Sequence, residues 1–161
     1  MINFIKIQDK INELLVKLYP DFTVYINQVP QNFERPSFCI DFVSNTVDDN
    51  NKELVKEIDY FTITYFAEVN EYYNTDKFNL QNVLLGVLNI FRNGFIEVDD
   101  RAVKVKASKG GFNDNEVYID LQFEYYDNRV EETEEEEEYE IMRKVYANVT
   151  DNINSYVLKI T

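Results

Sequence analysis

The stretch Tyr60-Phe61-Thr62-Ile63-Thr64-Tyr65-Phe66 decides how this chain folds. Every residue in it is aromatic or β-branched, a composition that loses side-chain freedom in a helix and packs well on a pleated surface. Alternation divides the run and its flanks into two faces. Ile58, Tyr60, Thr62, Thr64 and Phe66 share one; Phe61, Ile63, Tyr65 and Ala67 share the other. Apolar groups on both faces predict a central strand, or a strand with one side used by a partner.

Its natural companion is Val117-Tyr118-Ile119-Asp120-Leu121-Gln122-Phe123-Glu124-Tyr125, where apolar and mostly polar residues alternate with period two. Shorter β-prone runs are Phe22 to Ile26, Phe38 to Phe42, Phe95 to Val98 and Ala102 to Ala107. The last two flank Asp99-Asp100 and read as a hairpin. The segment Asn45 to Asn51 reads as an Asn/Asp-rich turn, and Lys109-Gly110-Gly111 through Asn115 as a loop. Two helices complete the set. Ile5, Ile7, Ile11, Leu14, Leu15 and Leu18 form an amphipathic stripe stopped by Pro20. Leu80, Val83, Leu84, Val87, Leu88 and Phe91 form a wider one, preceded by the cap-competent Asn74, Thr75 and Asp76 and closed by Asn93-Gly94.

The expected fold is therefore α+β: a mostly antiparallel sheet of four to five strands with two helices packed on one face, plus a C-terminal extension. Residues 1–128 are the expected core domain. Residues 129–140 form an acidic linker, and residues 141–161 an arm in which Val145, Ala147 and Val149, then Tyr156, Leu158 and Ile160, alternate. Such an arm suits pairing with the sheet edge of another subunit or folding back on its own domain.

The chain has 161 residues, enough for one domain with a real core. Its formal charge is −14, of which eight negative charges are the glutamates of residues 131–140; without them the net is −6. A mildly acidic body disfavours nucleic-acid and anionic-membrane binding, yet suits a surface that DNA slides past. The lone Cys39, in an apolar strand, reads as a small buried hydrophobe in a reducing compartment. The N-terminus lacks the pattern of a signal peptide, and no stretch approaches the apolar length of a membrane span.

The sequence contains no histidine, which removes Ser-His-Asp and Cys-His catalysis and His-based zinc sites. Lys109-Gly110-Gly111 lacks the spacing of a phosphate-binding loop, and Asp48/Asp49 and Asp99/Asp100 lack that of a calcium loop. No enzyme, cofactor or metal is expected. The surplus of tyrosine is better placed between subunits: Tyr60, Tyr65, Tyr72, Tyr73, Tyr118, Tyr125 and Tyr126 are candidate interface residues.

One further pattern carries a family likeness. Leu18-Tyr19-Pro20 ends the first helix; Val24-Tyr25 follows, then Gln31-Asn32-Phe33-Glu34-Arg35-Pro36-Ser37-Phe38, then the Tyr60 to Phe66 strand. This succession, above all Phe33-Glu34-x-Pro36-x-Phe38, resembles the small tail terminator proteins of prophages and contractile phage-like particles of Gram-positive bacteria. The Glu-rich segment with Met142 after it is similar to the family's ending as well.

The resemblance implies a structural virion protein, made in the bacterial host cytoplasm. It implies a hexameric ring on the last ring of tail tube protein that halts polymerisation and docks the neck or connector. The sheath would touch it in a contractile tail, and DNA would pass through the lumen without specific binding. On that reading Phe33, Glu34, Arg35 and Pro36, with residues 45–51, are candidate axial contacts, and Tyr156, Leu158 and Ile160 reach a neighbour or the sheath. A head–tail connector or neck completion protein would share size, acidity and ring logic. An acidic DNA-mimic inhibitor, from another class, would spread its carboxylates over the folded surface instead.

Overall fold

The computed structural model describes residues 2–129; the rest of the acidic run and the arm with Tyr156, Leu158 and Ile160 lie outside the described residues. Helix α1 (Phe4–Leu18) starts where the Asn3 side chain accepts from the Lys6 amide and ends before Pro20. Strands β1 (Thr23–Ile26), β2 (Ser37–Asp49) and β3 (Leu54–Phe66) follow. Helix α2 (Lys77–Ile90) opens on Asp76, whose carboxylate accepts from the Phe78 amide. Strands β4 (Phe95–Val98), β5 (Arg101–Asn113) and β6 (Glu116–Asn128) complete the fold.

All six strands form one sheet in the order β1-β2-β3-β6-β5-β4. The α+β class and the two helices agree with the sequence reading, but the sheet has six strands rather than four or five, and β1 runs parallel to β2. The four other pairings are antiparallel. The parallel pair arises because residues 27–36 carry the chain back along the sheet before β2 begins, so the two neighbours start from the same end.

Two expected connections are strand. Residues 45–49 continue β2 because Thr46 and Val47 find partners in Ile58 and Glu57 of the long β3. Local Asn and Asp content favours a turn there, and the ladder overrides it. The Gly110-Gly111 pair lies within β5, opposite Ile119 and Tyr118. Gly110 is fitted to its place: a β-carbon there would sit 3.3 Å from Leu84 of α2. The turn comes later, at Asp114, which has a φ of 50°.

The inward face of the sheet is the Phe61, Ile63, Tyr65 and Ala67 face of β3. It is continued by Val117, Ile119, Leu121, Phe123 and Tyr125 of β6. Ile7, Ile11 and Leu15 of α1 and Leu80, Val83 and Val87 of α2 join the same buried cluster, so both helices cover one face. Phe4 stacks on Phe42 of β2 at 4.6 Å while Lys6 pairs with Asp99 of the β4–β5 turn at 2.6 Å. The first turns of α1 thus reach both margins of the sheet, which curls around them. Gly86 lets the end of α1 meet α2, because a β-carbon there would collide with the Tyr19 hydroxyl.

Candidate functional site

The Phe33 to Pro36 cluster forms a clamp within the subunit. Arg35 donates to the Ala67 carbonyl at 2.9 Å, and its guanidinium lies 4.7 Å from the Phe33 ring centre and 5.7 Å from that of Phe66. Phe33 and Phe66 themselves pack at 4.7 Å. Glu34 accepts from the Thr23 hydroxyl at 2.8 Å, while its amide donates to the Tyr25 hydroxyl at 3.1 Å. These contacts tie residues 27–36 to β1 and to the end of β3. Pro36 also lines a cleft of about 780 Å³ with Phe22, Tyr65, Glu68, Asp76 and Asn79.

The tyrosines separate by strand parity. Tyr60 lies on the outward face, half-buried beside a hollow of about 300 Å³ formed with Val43, Ser44, Thr62 and Asp120. Tyr118 and Tyr126 share that face. Tyr65 and Tyr125 are core residues, 2% and 5% exposed, so neither offers surface to a neighbour in this conformation. Burial pushes the Tyr65 phenol up to about 12, and its hydroxyl donates to Asn79 at 3.0 Å. Tyr72 and Tyr73 stand out from the loop before α2, 81% and 78% exposed.

Tyr125 leads to a polar knot that periodicity alone did not reveal. Its hydroxyl lies 2.9 Å from Glu57 and 3.0 Å from Asp59, and Asn45 donates to Asp59 at 2.6 Å. Asp59 has no exposed surface. Burial holds its carboxyl above the ordinary value, against the opposing pull of the hydrogen bonds from Asn45 and Tyr125. The signal was legible: Asp59 sits two residues before Phe61, on the face that Phe61, Ile63, Tyr65 and Ala67 make apolar.

A carboxyl that holds its proton more tightly when folded contributes stability below its unfolded pKa, and that contribution is lost as pH rises through the folded value. Asp59→Asn cannot ionise. The stability of the wild type relative to this variant is therefore expected to fall between about pH 4 and about pH 7, read from urea midpoints at both. A relative gain for the wild type at the higher pH would show that the knot favours the carboxylate.

Asp127, 3% exposed, accepts from the Ile2 amide at 3.0 Å and pairs with Arg101 at 3.4 Å. Arg129 donates to the Asn51 carbonyl at 3.0 Å and pairs with Asp49. Among the described residues no three metal-ligating side chains converge, and no helix is long and apolar enough to cross a membrane.

The sheet margins are the other conspicuous surface. Beyond Phe42, whose amide donates to the Asn27 side chain, β2 runs on exposed from Val43 to Asp49 with no strand on its open side among the described residues. On the opposite margin β4 covers β5 only from Arg101 to Lys104. Val105 still donates to the Gly94 carbonyl, and from Lys106 onward that side is open.

No curated protein matches the chain. A family model described as phage tail terminator protein matches residues 6–137, most of the chain and nearly all of the described fold. With helices on one sheet face, two open margins and a family of structural tail proteins as its match, the chain belongs to the phage tail terminator family.

Proposed function

We propose that this chain forms the ring, hexameric in number, that caps the tail tube, stops its polymerisation and joins tail to neck. The observation that carries this reading is the family membership across residues 6–137. A closed ring needs a heterologous interface, with different patches on the two sides of each subunit. The open β2 and β5 margins are two such patches on opposite sides of one sheet.

The tube protein and the neck or connector protein are the axial partners, with the sheath as a third in a contractile tail. The outward sheet face, with Tyr60, and the loop bearing Tyr72 and Tyr73 are accessible for these contacts. Residues 141–161 are proposed to reach a neighbour or the sheath. DNA passes the lumen unbound, helped by the acidity of the body. A neck completion ring shares this logic, and the family membership favours the terminator.

Gold-labelled antibody against this chain should decorate purified tails at one end only, the end facing the neck. Label along the whole tube, or at the baseplate end, would contradict the proposal.

A further inference from the structure

The two open margins match each other. The open stretch of β2 runs from Val43 to Asp49, bounded below by β1 and the Asn27 side chain. That of β5 runs from Lys106 to Phe112, bounded above by β4 and Gly94. The stretches are equal in length, and each carries backbone donors and acceptors that an added strand can satisfy.

Their side chains are also complementary. Outward-facing positions of β2 end in Asp48, opposite Lys56 of β3, while outward positions of the open β5 stretch include Lys106 and Lys109. Inward-facing Val47 on one margin is 57% exposed, and inward-facing Phe112 on the other is 47% exposed. One margin therefore presents acid outside and an uncovered valine inside; the other presents lysines outside and apolar surface inside.

We infer that β2 of one copy pairs antiparallel with β5 of the next, so that the sheet continues from subunit to subunit. The inference rests on the ring proposed above and specifies its interface. Rotation about an axis along the strands preserves strand direction, and β2 and β5 run oppositely within the sheet, because each of the three successive pairings between them is antiparallel. Antiparallel contact between copies follows.

Setting Asp48 beside Lys106 places Val47 beside Ala107, outward with outward and inward with inward; the β5 irregularity between Ala107 and Lys109 takes up one residue, after which Asn45 faces Gly110. It fits the open stretches between β1 of one copy and β4 of the other without overlap. In the parent sheet Asp48 pairs with Lys56 and Lys56 with Tyr126; extending the β5–β6 ladder two residues past Lys104–Glu124 brings Ala102 level with them, so this register offsets neighbours by four residues. That is about 13 Å along the strands for about 19 Å across four strand spacings, a tilt of about 35°, within the range that closed sheets adopt.

The test is disulfide trapping in tails assembled with the full-length chain carrying both Val47→Cys and Ala107→Cys as its only source. Native Cys39 is buried and its thiol is pushed up to about 12 by burial and by Asp41, so it stays silent. Oxidation should give a ladder of covalent multimers ending at the ring number. Each single variant should give no ladder. Asp48→Lys should abolish trapping, and adding Lys106→Glu should restore it.

Rings visible at tail ends without any ladder would overturn this interface and leave the ring proposal standing. Tails that carry the chain without any ring would overturn both.

Discussion

Phe38→Ala is expected to lower the stability of the described body by about 3–5 kcal/mol, the range for emptying a fully buried aromatic site. Phe38 has no exposed surface. It stands at the junction of β1, β2 and β3, paired with Val24 on one side and Tyr65 on the other. Its ring lies 5.3 Å from Tyr19, 5.8 Å from Phe22 and 5.2 Å from Tyr65, each contact adding to simple area burial. These partners come from the end of α1, the residue before β1, and β3, so no local adjustment refills the space. Against a typical total of about 5–15 kcal/mol, the loss is large. The urea midpoint should fall with the slope unchanged, and Phe38→Leu should fall less. A shift below about 1 kcal/mol would show that the parallel β1–β2 corner does not fold with the rest.

Arg35→Ala is expected to cost about 2–3 kcal/mol, combining a charge-assisted hydrogen bond to the Ala67 carbonyl with the stacking on Phe33 and Phe66. The Ala67 carbonyl would lose this partner, and the crossing segment would lose its tie to β3. Arg35→Lys keeps the charge but not the planar group, so it should recover only part of the loss. Chemical denaturation of the three proteins measures this directly. Equal stability of the lysine variant and the wild type would mean that charge alone holds the clamp.

The clamp also shows what the sequence could and could not tell. Phe33, Glu34, Arg35 and Pro36 form a compact sequence motif, and a loop motif in a family of structural tail proteins invites an interface role. In the structure Phe33, Glu34 and Arg35 make contacts within the subunit, to β1 and to the end of β3, while Glu34 also stays exposed. The motif closes the chain's own parallel corner, through contacts between residues far apart in sequence. Ile58 to Ala67 were sorted correctly into two faces by alternation alone, because strand parity is local. The same parity could not say which face the helices choose, so Tyr65 and Tyr125 stood with Tyr60 as surface candidates although they line the core.

Strand ends were the weakest point, for a related reason. Residues 45–49 and Gly110-Gly111 have turn composition, and only their cross-strand partners on β3 and β6 make them strand. Those extensions create the open margins, so the surface proposed to join subunits is the part least visible in the residues themselves.

Tail length is the most direct measure of whether this chain terminates tails. Tails should be purified from cells that lack it and from cells that make it, and their lengths compared by negative-stain microscopy. The account predicts one sharp length with the chain present, and overgrown tubes of scattered length without it, restored by supplying the chain in trans. Tubes of the same single length in both preparations would contradict it.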